Sequence, residues 1–285
     1  MTRDRRSDRR RLDELVVERG LAESRQRAQA LVLAGRVLVG AGDAARTDRK
    51  PGDLFPPDAP IQLLAPEPYV SRGGHKLAAA LDAFGIDPAG AVCLDVGAST
   101  GGFTDVLLQR GAVRVYALDV GHGQLAERLR ADPRVVLWEG VNARDLGPNS
   151  LPEPVDLATI DVAFISLRLV LGPVAACVRP AGRIVALVKP QFEAGRADVR
   201  RGVVRDPAVH RRVLLAVAGH ALDLGLAVEG VTPSPLLGPA GNREFFLALR
   251  VGPRGLAGAG RRPVGFPSAE VPPAVAAWIE ATVGG

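Results

Sequence analysis

The chain has 285 residues, 47% of them hydrophobic, which is enough to bury one large core and one small one and excludes a wholly disordered protein. No stretch reaches the roughly 18 uninterrupted apolar residues of a membrane span, since even Val213 to Val228 carries His220 and Asp223. The formal charge of +5 leans toward a polyanionic partner, and it is local, with six arginines against two aspartates between Thr2 and Arg11.

Residues 1–10 are expected to be a basic disordered tail, or an arm that touches RNA. No apolar segment resembling a signal peptide follows them, so the chain is expected to be cytoplasmic and to have no membrane partner. From 11 to 64 the pattern predicts a small α+β domain. Leu12, Leu15 and Val16 share a helical face that ends at Gly20. A second helix, carrying Ala28, Leu31 and Val32, starts at Ser24, a favourable N-cap, and stops near Gly35. Strands are expected at Val37 to Val39 and Ile61 to Leu64. Residues 65–70, Ala-Pro-Glu-Pro-Tyr-Val, look like a linker.

Over 71–250, apolar runs alternate with amphipathic stretches. Strands are predicted at Ala91 to Val96, Val113 to Val120, Val135 to Trp138, Val155 to Ile160, Arg183 to Val188, Leu226 to Val231 and Phe245 to Leu249. Seven strands with helices between them imply an α/β fold, a doubly wound, mostly parallel sheet whose ligands bind beyond the carboxyl ends of its strands. Residues 251–285 read as a Gly/Pro-rich tail with one short helix near Ala274 to Thr282. The two cysteines, Cys93 and Cys177, stand far apart in apolar surroundings and are expected to be buried free thiols.

Of 36 basic residues only Lys50, Lys76 and Lys189 are lysines. Where so biased a chain uses lysine, one reason is chemistry closed to a guanidinium, which cannot lose its proton. The first strand of the sheet ends in Asp95-Val-Gly97-Ala98-Ser99-Thr-Gly101-Gly102-Phe103, where glycines let backbone amides approach a ligand at a helix N-terminus. The spacing is not G-x-G-x-x-G and favours the aminoacyl end of S-adenosylmethionine over a pyrophosphate, the alternative being a turn that only packs. Asp119, 24 residues after Asp95, can accept from both ribose hydroxyls or can cap a helix. Asn142 can bond an adenine edge or shape a surface turn. Asp161 and Lys189 close the fourth and fifth strands on the ligand-binding rim, and Lys76 and Glu244 complete a possible cluster. Each taken singly could be a structural ion pair. The four scattered histidines signal no metal.

In combination, Ser71-Arg-Gly-Gly-His-Lys76, Lys189-Pro-Gln-Phe-Glu193, Gly202-Val-Val-Arg-Asp-Pro207 and Gly241-Asn-Arg-Glu244 resemble the TlyA-type ribosomal RNA 2′-O-methyltransferases. The resemblance runs from Arg11 to roughly Arg250. It makes the large domain similar to FtsJ-like methyltransferases, with Lys76, Asp161, Lys189 and Glu244 as the catalytic set, S-adenosylmethionine as cofactor and cytidines of ribosomal RNA, in ribosomal subunits, as substrate. The small domain resembles the RNA-binding module of ribosomal protein S4 through Arg11-Leu-Asp, Ser24-Arg25, Gly35-Arg36-Val and Lys50-Pro-Gly. It departs at Val39-Gly40-Ala41, where that module has Val-Asn-Gly. Arg11, Ser24, Arg25, Arg36, Lys50 and Arg72 are thereby expected to face RNA.

A ribose hydroxyl is a poor nucleophile until it loses its proton, so a base must sit within about 3 Å of it. Lys189 is the candidate base and Lys76 the group that positions the hydroxyl, with the carboxylates orienting both amines. The segment from Glu193 to Asp206 carries Arg196, Arg200, Arg201 and Arg205 and reads as a mobile loop gripping phosphates, or as a solvated one. Other readings are a ribosome-assembly factor on a methyltransferase scaffold, a small-molecule or protein methyltransferase, and a haemolysin, a label the family has carried.

Overall fold

The computed structural model describes residues 8–253 and 271–284. Residues 1–7 of the expected basic tail and 254–270 of the expected Gly/Pro-rich tail lie outside them. The chain forms two units that divide between Pro68 and Tyr69, inside the 65–70 segment.

In the first unit, helices α1 (Leu12–Glu18) and α2 (Arg25–Leu33) pack with four short strands, β1 (Arg10–Arg11), β2 (Val37–Val39), β3 (Leu54–Phe55) and β4 (Ile61–Leu63). β1 pairs with β3 and β2 with β4, both antiparallel. Leu12, Val16, Ala28, Leu31, Val32, Val37 and Val39 make its core, so the helical periodicity seen in the sequence is the buried one. Ser24 caps α2 by accepting from the Arg27 N–H. β1 and β3 are two residues long, too short to leave a pattern.

The second unit begins with α3 (Arg72–Phe84) and alternates β5 (Val92–Val96), α4 (Gly102–Gln109), β6 (Arg114–Asp119), α5 (Glu127–Arg130), β7 (Val135–Glu139) and β8 (Val155–Ile160). It continues through α6 (Leu171–Ala175), β9 (Val178–Val188), α7 (Pro190–Glu193), α8 (Pro207–Asp223), β10 (Leu226–Pro233), β11 (Phe245–Val251) and α9 (Pro273–Gly284). The seven strands form one sheet in the order β10-β11-β9-β8-β5-β6-β7. β9, β8, β5, β6 and β7 pair parallel, and β11 runs antiparallel between β9 and β10.

Strand alternation splits the core in two. Leu94, Val96, Ile160, Ala186 and Val188 face one side, against α6, α8 and α9. Cys93, Val115, Leu157, Val185 and Leu187 face the other, with residues of α3 and α4. Both cysteines are buried free thiols; burial pushes Cys93 up to about 12 and Cys177 to about 11, which leaves neither ready to act as a nucleophile.

Two expectations need correcting. β9 begins at Val178, five residues before its predicted start, because its register against β8 breaks between Val155 and Leu157 around Pro180-Ala-Gly182. The described end of the expected tail holds the short helix expected near Ala274 to Thr282, but as α9 it spans Pro273–Gly284 and buries Val275, Ile279 and Val283 in the core beside α8 and β10.

Candidate active site

β5 and β8 are the neighbours from which the chain winds in opposite directions, and such a switch point opens a crevice beyond the strands' carboxyl ends. Two loops meet there. Gly97 has φ +84°, and a Cβ on it would stand 2.5 Å from the Asp161 carbonyl oxygen, so only glycine lets the β5 and β8 loops touch. Ser99 adopts φ +48° and donates its N–H to Asp119 Oδ2 at 2.8 Å. Asp119 Oδ1 accepts from Gly121 N at 2.7 Å, so the carboxylate at the end of β6 is fixed in orientation while each oxygen keeps a lone pair for a ligand hydroxyl.

The four charged residues converge. β11 is registered with Phe245 opposite Val188, which brings Glu244 to the rim beside Lys189. Lys76 Nζ donates to Glu244 Oε2 at 2.6 Å, and the pair is buried, with exposures of 8% and 1%. Lys189 Nζ lies 2.6 Å from Asp161 Oδ1 as an ion pair. A cavity of about 390 Å³ is lined by all four together with Arg72, Gly97, Ala98, Ser99, Gly102 and Phe103. Glycine amides at the head of α4 and this volume, with the Asp119 carboxylate bonded to the lining residue Ser99 but not itself on the lining, fit an amino acid joined to a nucleoside.

Asp95 is not where the sequence placed it. Its carboxylate is fully buried and accepts from the Thr104 hydroxyl at 2.7 Å and the Thr159 hydroxyl at 3.1 Å, stapling β5 to α4 and β8 beneath the cavity. Burial raises it from the ordinary 3.8 to about 6. Protonated Asp95 therefore suits the fold best, and its contribution is greatest below pH 3.8 and declines as the pH rises toward 6. Asp95→Asn is expected to fold and to show a smaller loss of Tm between about pH 4.5 and pH 8 than the parent chain. Equal losses in paired thermal melts would refute this.

Gly101, at φ +95°, backs onto Leu125 and Leu129 and shapes the turn from behind. The Asn142 amide oxygen accepts from Arg144 N as a cap, the surface-turn alternative, and does not line the cavity.

In the first unit, Arg11 and Arg25 both reach the buried carboxylate of Asp13, which also accepts from Gln29 and is held well below the usual carboxylate range by these donors against its burial. Arg36 donates to the Leu64 carbonyl and Lys50 is exposed on a turn closed by Asp53. Arg196, Arg200, Arg201 and Arg205 are all exposed, and the last three line a second cavity of about 660 Å³ with Asp198 and Asp206. The segment is anchored within: buried Asn242 accepts from Val204 N and donates to Gly202 O, both at 2.9 Å, and His210 bonds the Val204 carbonyl.

One residue escaped the sequence. Phe164, three residues past Asp161, holds φ +63° and is 91% exposed, its ring 5.2 Å from that of Phe192. A bulky side chain in that backbone region is strained, and such strain clusters where function requires it. Leu237 and Pro239, from the β10–β11 loop, also line the cavity and carried no signal.

A sheet of this order with a glycine turn at its switch point is that of a methyltransferase that takes S-adenosylmethionine. The chain belongs to the FtsJ-like methyltransferase family, whose model matches residues 69–251; an S4 domain model matches residues 10–40. It is 49% identical over 243 residues, 84% of this chain and 89% of the relative, to the 16S/23S rRNA (cytidine-2′-O)-methyltransferase TlyA of Mycobacterium tuberculosis. It is 40% identical over 237 residues, 82% of this chain and 97% of the relative, to Hemolysin A of Brachyspira hyodysenteriae. A solved chain from Streptococcus thermophilus, described as a haemolysin, superposes with a TM-score of 0.68 at 39% identity, covering 96% of both chains. Among the described residues, no helix is long and apolar enough to cross a membrane.

Proposed function

We propose that the chain methylates the 2′-hydroxyl of a cytidine ribose in ribosomal RNA, presented within ribosomal subunits in the cytoplasm. The observation that carries this is the pair of lysine–carboxylate contacts, Lys189 with Asp161 and Lys76 with Glu244, at the mouth of the glycine-turn cavity. Bound S-adenosylmethionine supplies an electrophilic methyl group on a cationic sulfur. Ala98, Ser99, Gly102 and Phe103 would hold its amino-acid end, and Asp119, bonded to Ser99, would accept from its ribose.

Lys189 in its neutral form takes the hydroxyl proton at Nζ as the oxygen attacks. Asp161 aims that amine at the substrate. Lys76, fixed by Glu244, donates to the attacking oxygen and holds it in line.

Phe164, three residues past Asp161 and 91% exposed, offers an aromatic face for the base of the target nucleotide, and base stacking on an aromatic contributes roughly 1–3 kcal/mol. Phe164→Ala is expected to lower kcat/KM for RNA about tenfold or more without changing cofactor affinity, with Phe164→Trp restoring it. An unchanged kcat/KM in Phe164→Ala would remove the stacking role. Arg200, Arg201 and Arg205 contact RNA phosphates, as do the exposed cations of the first unit and Arg72. The S4 match and the substrate named for the Mycobacterium tuberculosis relative support an RNA partner.

The direct test is incubation with radiolabelled S-adenosylmethionine and unmodified ribosomal subunits, beside transfer RNA. Label in ribosomal RNA alone is expected. Cofactor and RNA binding with no label would leave an RNA-binding scaffold in its place.

A further inference from the structure

We propose that Glu193 is a positioning residue that locks the loop after β8 onto the turn after β9, and thereby sets the approach of Asp161 to Lys189 and the presentation of Phe164. It rests on the reading of Asp161 and Lys189 as the reacting pair. The two loops leave separate strands, and each carries one member of that pair at its root. The Glu193 carboxylate closes the far side. Ser166 Oγ donates to its Oε2 and Leu167 N–H to its Oε1, both at 2.6 Å.

The loops are thus joined twice, by Lys189 with Asp161 at one end and by Glu193 with Ser166 and Leu167 at the other, with Phe192 against Phe164 between them. The Glu193 side chain is 3% exposed and Arg168 Nε stands 3.8 Å from it. A charged group so placed earns its burial only through what it holds. What it holds includes a phenylalanine at φ +63°, a conformation that persists only where the surroundings over-determine it. Burial pushes the Glu193 carboxyl up, while Ser166, Leu167 and Arg168 oppose the shift.

The lock can be kept without the charge. A glutamine can accept from Leu167 N–H with its oxygen and donate to Ser166 Oγ with its amide, which displaces the long bond that Arg168 Nε makes to that hydroxyl at 3.4 Å. An alanine loses both bonds and strands the Leu167 N–H. Lys189 shares the cavity with Asp161 from the β8 loop, Lys76 and Arg72 from α3 and Glu244 from the residue before β11, and of these only Asp161 sits on the loop that Glu193 clamps.

The test compares Glu193→Ala, Glu193→Gln and Lys189→Ala on the full chain, with RNA and S-adenosylmethionine, reading kcat across pH, both KM values and cofactor Kd. Glu193→Ala is expected to lose roughly 10- to 100-fold in kcat. Its pH profile should rise at lower pH than the parent's, because a carboxylate that has drifted away no longer favours the charged amine. Cofactor Kd should hold, and Glu193→Gln should restore both rate and profile. Should Glu193→Ala not fold, Ser166→Ala, which removes one of the two bonds, is expected to shift the profile the same way by less. An unmoved profile, with kcat falling only as the folded fraction falls, overturns the proposal. Full activity in Lys189→Ala would instead overturn the reading on which it rests.

Discussion

Lys189→Ala is expected to abolish methyl transfer, lowering kcat by about 10²–10⁴-fold, while cofactor affinity and fold remain. The Lys189 side chain is 14% exposed and lines the cavity, where its ion pair is with Asp161, so its removal frees space without breaking the core. Asp161 gains access to water. Lys189→Arg is expected to fail as well, since a guanidinium keeps its charge and cannot take a proton at neutral pH. Stopped assays under saturating RNA check both. Activity in Lys189→Arg within tenfold of the parent would mean that the residue acts only as a cation and that the base lies elsewhere.

Glu244→Ala is expected to have the second large effect, and on stability as well as rate. It leaves the Lys76 ammonium unpaired in a site where it is 8% exposed, and breaking a buried pair in this way costs about 3–5 kcal/mol. For a unit of this size that is a fall in Tm of roughly 10 °C. Replacing both partners, Lys76→Met with Glu244→Met, removes charge and countercharge together and is expected to recover most of that stability. It should remain inactive. Thermal melts beside methyl-transfer assays separate the two roles: a double variant as unstable as Glu244→Ala would mean that the cost lies in packing around Gly238, which abuts Glu244, and not in the stranded charge.

Much of this was legible in the sequence, for identifiable reasons. The seven strands announced themselves because both faces of the sheet are covered, so each strand is an almost continuous apolar run such as Val92–Val96 or Phe245–Val251. The two lysines of the site stood out because the chain otherwise uses arginine. The start of β9 was hidden by Arg179, Pro180 and Gly182, which read as a turn. The helix near Ala274 to Thr282 was legible, but the Gly/Pro-rich stretch before it hid that its Val275, Ile279 and Val283, repeated every four residues, join the core.

Within the site, residue type carried less. Asp95 and Asp119 both lie at the carboxyl ends of strands of the same sheet, yet one is enclosed by two threonines and the other is presented at the rim; only the packing of α4 and β8 on β5 distinguishes them. Phe164 lay in a segment already marked by Asp161, but an aromatic held at positive φ has no periodicity to betray it. Glu193 belonged to a recognised phrase, and its partners, 26 and 27 residues earlier, come beside it only through the β8–β9 pairing.

The most direct test of the central claim is mass spectrometry of nucleosides from ribosomal RNA treated with the enzyme and S-adenosylmethionine, with Lys189→Ala as control. 2′-O-methylcytidine that appears with the parent chain and disappears with the variant is the predicted result. A methyl group on a base, or on ribose with Lys189→Ala equally active, would contradict it.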